Sequence, residues 1–370
     1  MAAKQNRMSI RIVIAGGGTG GHIFPAIAIA NALKEMDATI EILFVGAKGK
    51  MEMEKVPQAG YKIEGLDIAG FNRSSLIKNI WLPIKLLRSF WQVRSIFKKF
   101  KPDAAIGVGG YSSFPVLRSA QAARIPTFIH ESNSFAGKSN IMLGKKATRV
   151  FTGTDRMEKF FPKEKIVVTG NPVRASIANS MISQVEGKKF FSLDGTKKTV
   201  LVVGGSLGAK SINEAIDKHL DELLNADLQV IWQTGKTYQP KATASGGVWV
   251  NAFINQMEYA YAAADIVVAR SGAMTVAELC VARKPVLFVP YPFAAEDHQT
   301  VNAQQLADKN AALMVKDNEA LDKVVPMIIA LAKDESKQTE FKKNIGALAI
   351  TNADKRIADE IIKNIDKTRM

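Results

Sequence analysis

Residues 16–22 read Gly-Gly-Gly-Thr-Gly-Gly-His, directly after the apolar stretch Ile10–Ala15 and directly before the helix-like run Ile23–Met36. A strand that enters a glycine-dense turn and leaves as a helix gathers backbone N–H groups around an anion. Glycine is needed because the turn visits positive φ and because a phosphate must approach a backbone free of Cβ atoms. A second such turn follows in the other half. There Thr199–Val203 leads into Gly204-Gly205-Ser206-Leu207-Gly208-Ala209 and then the helix-like Lys210–Leu224. Two anion-cradling turns, one in each half, point to a two-lobed enzyme that handles a nucleotide.

Outward from these turns the chain alternates short β-rich apolar runs with helical periodicity, the pattern of parallel α/β units. The expected strands of the first half are Ile10–Ala15, Ile40–Val45, Ala104–Val108, Thr127–His130 and Arg149–Phe151. Those of the second are Val200–Val203, Leu228–Gln233, Gly247–Val250, Ile266–Ala269 and Val286–Val289. We place the domain boundary near Pro172, giving domains 1–172 and 173–351, and read the polar stretch Ser183–Lys198 as an early loop of the second. The tail from residue 352 to 370 has helical periodicity through Ile357, Ile361, Ile362 and Ile365 and is expected to pack back across the first domain.

The 370 residues suffice for two buried cores, and 47% hydrophobic with 23% charged is ordinary for a globular protein. The one cysteine, Cys280, rules out a disulfide framework and reads as a packing residue in a reducing, cytoplasmic setting. No window approaches the ~20 apolar residues that span a bilayer, and Ile10–Ala15 is too short for a secretory signal. The formal charge of +15 favours a polyanionic partner, whether nucleic acid, an anionic membrane surface or a phosphorylated substrate.

Gly16, Gly18 and Gly21 satisfy G-x-G-x-x-G in the right strand-turn-helix context. A dinucleotide fold would also place a carboxylate at the end of the second strand for the ribose, and Phe44-Val45-Gly46-Ala47 offers none. His22 closes the turn at a helix N-terminus, which disfavours the imidazolium and suits a general base. Of four histidines, His22, His130 and His298 fall at strand-end loops or turns, and His219 reads as a surface helix residue. Spacing around His130-Glu131-Ser132-Asn133 does not make a metal site, and no structural metal is expected. Arg270-Ser271-Gly272-Ala273-Met274-Thr275-Val276-Ala277-Glu278 opens a helix whose small residues leave N–H groups open to a phosphate, with Glu278 placed for ribose hydroxyls. Gln299, after Pro290-Tyr291-Pro292-Phe293, suits sugar hydroxyls.

The segment Phe71–Lys101 holds eight basic residues and no acidic one, interleaved with Trp and aliphatics. This is the composition of an interfacial membrane segment. Part of the apolar set must face the core, yet Ile77, Ile80, Trp81 and Ile84 around Pro83 exceed one buried stripe. Pro83 is expected to kink or interrupt the helix.

Several strings in order resemble the MurG family, the peripheral N-acetylglucosaminyltransferases of bacterial peptidoglycan synthesis. They are GGGTGGHIFPA from Gly16, GVGGYSSFP from Gly107, HESNSFAGKSN from His130, GNPVR from Gly170, GGSLGA from Gly204, RSGAMTVAEL from Arg270 and PYPFAAEDHQTVNA from Pro290. The resemblance spans nearly the whole chain. It implies an α/β GT-B fold of two Rossmann-like domains facing across a cleft, the first acceptor- and membrane-facing, the second binding UDP-GlcNAc. It further implies transfer of GlcNAc from UDP-GlcNAc to the C4 hydroxyl of MurNAc in undecaprenyl-pyrophosphoryl-MurNAc-pentapeptide (lipid I), with inversion, giving lipid II at the cytoplasmic face of the bacterial plasma membrane. No cofactor is implied. By this resemblance Thr19, Gly20 and Gly21 lie beside the donor and Asn133 reaches its sugar. Arg174 and Ser206 approach the UDP phosphates or the nearby loop, and Ile254 meets uracil through its backbone. Ala273, Met274, Thr275, Val276, Ala277 and Glu278 flank pyrophosphate and ribose, Gln299 contacts GlcNAc hydroxyls, and His22 is the base. Ser132 and Leu207 stand where the family commonly has glutamine.

Rival readings remain at this point. They are another UDP-sugar enzyme of the same fold (a different lipid glycosyltransferase or an epimerase), a nicotinamide-dependent oxidoreductase suggested by Gly16–Gly21, and a basic nucleic-acid binder suggested by charge. The oxidoreductase lacks its second-strand carboxylate, and the sequence carries no RNA-binding signature.

Overall fold

A computed structural model describes residues 9–69, 81–205, 207–241, 246–294 and 297–369. The chain divides into two compact units, residues 1–172 with 352–370 and residues 173–351.

In the first unit a seven-stranded parallel sheet has the order β3-β2-β1-β4-β5-β6-β7. The strands are β1 (Arg11–Ala15), β2 (Glu41–Ala47), β3 (Lys62–Leu66), β4 (Ala104–Gly107), β5 (Thr127–Glu131), β6 (Arg149–Thr152) and β7 (Ile166–Val168). Ile12, Val13, Ile14 and Ala15 are all fully buried, because helices cover both faces of a parallel sheet and leave no polar side. The strand order reverses between β1 and β4, the point at which open α/β sheets collect ligands at their carboxyl edge. The glycine turn beginning at Gly16 sits there.

β3 and β7 were not anticipated. Both are edge strands; β3 carries Lys62 and Glu64, and β7 is apolar but only three residues long, so neither shows the longer apolar run that marks a central strand. The last helix, Ala353–Arg369, packs on the helix Gly20–Met36 and places Ile357, Ala358, Ile361 and Ile365 in this unit's core. Burial of that many aliphatics, at about 1.5–3 kcal/mol each, fastens the tail to the N-terminal unit.

The second unit repeats the plan with six parallel strands in the order β10-β9-β8-β11-β12-β13. They are β8 (Lys198–Val203), β9 (Leu228–Gln233), β10 (Val248–Asn251), β11 (Ile266–Ala269), β12 (Val286–Phe288) and β13 (Leu313–Met314). The two-residue edge strand β13 again escaped the sequence pattern. The expected loop Ser183–Lys198 contains a helix, Gln184–Phe190, begun by a capping box in which Ser183 and Glu186 satisfy each other's backbone N–H groups. The expected helix Lys210–Leu224 is two, Lys210–Lys218 and Leu220–Asn225, joined at His219. His219 is not a bare surface residue, since its Nδ1 lies 2.7 Å from Glu222 Oε1. Cys280 is buried, and desolvation pushes its thiol up to about 12, as suits a packing residue.

Pro83 does not kink the described helix that contains it. It lies in the first turn of the helix Leu82–Phe100, where a missing N–H costs nothing. That helix has two apolar faces. Val93 is buried, and Ile96, Phe97 and Phe100 pack with it on the core. The opposite side exposes Trp81 (63%), Ile84 (51%), Leu87 (62%) and Trp91 (75%), residues that recur at three- and four-residue spacing on one stripe. Ile77 and Ile80 lie outside the described residues.

Candidate active site

The N-terminal turn is built around a carboxylate that the sequence does not advertise. Glu52 belongs to the helix Glu52–Gln58 after β2 and is 1% exposed. Its Oε2 accepts from Gly18 N–H at 2.8 Å and its Oε1 from Ala47 N–H at 2.9 Å. A Cβ at Gly17 would fall 2.2 Å from this carboxylate, and one at Gly46 would fall 2.5 Å from Glu52 Cγ. Both glycines exist to admit Glu52. The expected anion cradle is thereby corrected for this turn. Gly18 N–H is already taken, and a fixed negative charge opposes a dinucleotide pyrophosphate. The nicotinamide reading fails on that ground.

What the turn presents is His22. Its Nδ1 lies 3.1 Å from the Gly17 carbonyl oxygen. A carbonyl only accepts, so Nδ1 carries the proton and Nε2 holds the lone pair. This is the tautomer a general base requires. The imidazole packs against Gly109, where a Cβ would meet Cδ2 at 2.5 Å, and Gly109 has φ +99°. Gly17 N–H donates to the Gly109 carbonyl, and Ser113 Oγ donates to the carbonyls of Ala15 and Gly109. The turns after β1 and β4 therefore hold each other and the base. Thr19 is the N-cap of the helix Gly20–Met36 and makes no side-chain cap bond, and the Gly20 and Gly21 N–H groups lie in its first turn, without intrahelical acceptors.

In the loop after β5, buried Glu131 gathers four donors. Oε1 accepts from Asn133 N–H (3.1 Å) and Nδ2 (3.3 Å), while Oε2 accepts from Gly137 N–H (3.0 Å) and Asn140 Nδ2 (2.9 Å). Asn133 is thus oriented by Glu131. His130 is buried, and neither ring nitrogen has a hydrogen-bond partner among the described residues. Desolvation holds its imidazole down to about 4, so it stays neutral and adds no charge against a protonated His22.

In the second unit the turn after β8 has Gly205 at φ +81° and Gly208 at φ +82°, and Ser206 lies outside the described residues. A Cβ on Gly208 would fall 2.1 Å from the Thr234 carbonyl oxygen, so the turn rests directly on the backbone after β9. Gln233, at the end of β9, ties two expected donor elements together. Its Nε2 donates to the Gly205 carbonyl (2.8 Å), and its Oε1 accepts from Ile254 N–H (3.3 Å).

The helix Ala273–Ala282 starts after Gly272, an extended N-cap with no side-chain cap bond, so the N–H groups of Ala273 and Met274 have neither an intrahelical acceptor nor a capping side chain. Glu278 is buried, not a surface residue of this helix. Arg174 donates to its Oε1 from Nε (3.1 Å) and Nη2 (3.0 Å), and Tyr261 Oη donates to Oε2 (3.0 Å). Desolvation first, then the Glu278 charge, raises the Tyr261 phenol well above its ordinary range, which keeps it a donor. Ser271 Oγ donates to the Gln299 carbonyl (2.7 Å), and Gln299 Oε1 accepts from Tyr291 N–H (3.0 Å). Arg270 anchors the same region through the carbonyls of Val289 and Pro290. Arg174, Ile254, the 273–278 stretch and Gln299 thus share one unit, whereas Thr19–His22 and Asn133 share the other.

Comparison with known proteins fits this arrangement. Residues 12–152 match the glycosyltransferase family 28 N-terminal domain and residues 199–361 the glycosyltransferase family 28 C-terminal domain. A Parabacteroides distasonis protein is 48% identical over 363 residues, covering 96% of this chain and 99% of its own length. One from Bacteroides thetaiotaomicron is 49% identical over 362 residues, covering 96% and 97%. Both are named UDP-N-acetylglucosamine--N-acetylmuramyl-(pentapeptide) pyrophosphoryl-undecaprenol N-acetylglucosamine transferase. The crystal structure of Acinetobacter baumannii MurG superposes with a TM-score of 0.74 at 29% identity, covering 96% of this chain and all of that one. With both family 28 domains in order and near-full-length relatives of that name, the chain belongs to the MurG family of glycosyltransferases.

Proposed function

We propose that the chain transfers GlcNAc from UDP-GlcNAc to the C4 hydroxyl of MurNAc in lipid I, with inversion at the anomeric carbon, making lipid II. The acceptor hydroxyl attacks the anomeric carbon opposite UDP and gives its proton to His22 Nε2 as the new C–O bond forms. The bond to UDP breaks, and the pair of electrons goes to the departing pyrophosphate. The N–H groups opening the helix Ala273–Ala282 meet that charge, with Arg174 and Ser206 as further donors. A carboxylate accepts up to about four hydrogen bonds, so Glu278 can still take a ribose hydroxyl while Arg174 and Tyr261 orient it. Uracil meets the backbone of Ile254, and Gln299 and Asn133 read the GlcNAc hydroxyls, with Thr19, Gly20 and Gly21 beside the donor. The observation that carries this reading is the pairing of an open helix N-terminus with a buried, pre-oriented carboxylate on that same helix. Incubating the protein with radiolabelled UDP-GlcNAc and a lipid I analogue tests it. Label appearing in a GlcNAc–MurNAc lipid supports transfer, and label released only as free sugar or epimer overturns it.

Glu278→Ala should weaken UDP binding at least tenfold. It removes the carboxylate from the ribose and also the Glu278 hydrogen bonds of a largely buried Arg174, losses of about 1.5–3 kcal/mol per charged hydrogen bond. Calorimetric titration with UDP reads this, and an unchanged Kd would remove Glu278 from the site.

We further propose that the protein works at an anionic membrane surface on the cytoplasmic face, which accounts for the +15 charge without nucleic acid. No helix among the described residues is long and apolar enough to cross a membrane. The exposed Trp81, Ile84, Leu87 and Trp91 stripe, with Lys85 and Arg88 on the same helix, suits partial insertion between anionic headgroups. Changing Trp81 and Trp91 together to Ser should cut binding to phosphatidylglycerol vesicles more than tenfold, since each buried aromatic contributes about 1.5–3 kcal/mol. Undiminished co-sedimentation would refute docking through this stripe.

A further inference from the structure

A cavity of about 340 Å³ in the C-terminal unit carries a lysine that none of the chemistry above uses. Its lining includes Tyr261, Glu258, Asp265, Lys284 and Lys342. Lys284 is partly buried just beyond the helix Ala273–Ala282, and its Nζ donates to the Ala264 carbonyl at 2.8 Å. Among the described residues no carboxylate oxygen lies within 4.0 Å of this amine. Asp265, the acid nearest in charge influence, is engaged elsewhere. Its Oδ2 accepts from Thr199 N–H (2.8 Å) and faces Lys188 Nζ (3.8 Å), and its Oδ1 accepts from the Gln184 amide (2.9 Å). Glu258 accepts from Ser176 Oγ at 3.3 Å. Lys342 adds a second positive charge to the wall. The result is an amine with one protein hydrogen bond, no counterion and open space before it.

We propose that Lys284 is a site of covalent acyl modification, reached through this cavity by a small acyl phosphate. The neutral Nζ attacks the acyl carbon and a C–N bond forms. The bond from that carbon to the phosphate oxygen breaks, phosphate leaves with the electron pair, and the nitrogen gives its extra proton to solvent. The amide product keeps one N–H for the Ala264 carbonyl, so the local fold survives while one positive charge is lost. Several groups set the amine's readiness. Desolvation lowers it to about 8, Asp265 opposes that, and Lys342 and Lys188 reinforce it. At pH 8 about half of Lys284 is then free amine, against roughly 0.4% for an ordinary lysine near 10.4. Tyr261, which donates to Glu278, lines the same cavity.

The test is incubation of the intact protein with acetyl phosphate at pH 7, 8 and 9, followed by peptide mass spectrometry. Acetylation of Lys284 is expected at least fivefold above the median of the other lysines at pH 8. Its rate should flatten between pH 8 and 9 while theirs keep rising, and the preference should vanish when labelling is done in urea. Lys284→Arg should abolish that one signal and leave the others unchanged. Labelling of Lys284 at or below the median, or a preference that persists in urea, overturns the proposal. Because the first measurement uses the unaltered chain, a poorly folded variant does not blunt it.

Discussion

His22→Ala should lower kcat by about 10²- to 10⁴-fold, the range a positioned general base supplies, while UDP binds as before. The asymmetry follows from where the groups sit. The pyrophosphate, ribose and uracil contacts proposed above belong to residues 173–351, whereas His22 is held in the N-terminal unit by the Gly17 carbonyl and the Gly109 backbone. Truncation deletes the Nε2 lone pair and leaves Glu52, Gly18 and Ser113 to keep the turn in shape. Stopped assays with UDP-GlcNAc and a lipid I analogue, alongside UDP titration, separate the outcomes. A matched loss of UDP affinity and kcat would make His22 a shaper of the turn instead of a base.

The sequence made the sheet centres legible, and of the four edge strands it showed only β10. Ile12–Ala15, Val200–Val203 and Ile266–Ala269 are unbroken apolar runs because helices cover both faces, and the structure has strands there. β3, β7 and β13 pair on one side only and need no such run. Ser183-x-x-Glu186 is a capping box written in the chain, and it starts a helix inside an otherwise polar stretch. The glycine turns stood out because turn geometry is local. What their N–H groups bond to is not local, and so the first was taken for an anion cradle. Arg174 and Glu278 are 104 residues apart, and only the folded sheet brings the guanidinium to the carboxylate. The resemblance named both residues without indicating that they pair. Tyr261 and Gln233, which orient Glu278 and Ile254, carried no motif at all. Side chains that act through another residue leave no spacing in the sequence by which to find them.

Glu52→Ala should be the most damaging substitution in the N-terminal unit, although Glu52 touches no proposed substrate. The carboxylate fills the space left by Gly17 and Gly46 and accepts the Gly18 and Ala47 N–H groups inside the protein. Alanine leaves two donors unsatisfied at about 1–3 kcal/mol each, plus a void, against a typical total of 5–15 kcal/mol. A loss near 3 kcal/mol corresponds to a fall in Tm of roughly 6–12 °C for a unit of this size. Glu52→Gln separates charge from shape. Its oxygen can serve one N–H, but its amide NH2 then meets the other donor head-on, so it should lie between wild type and alanine in Tm. Turnover should fall further than stability requires, because the Gly17 carbonyl that fixes the His22 tautomer sits beside the Gly18 N–H that Glu52 holds. Differential scanning calorimetry and kcat measured well below the variant's Tm check both parts. An alanine variant with wild-type Tm and turnover would mean that the glycine turn keeps its shape without the carboxylate, and that the His22 geometry is set from the Gly109 side alone.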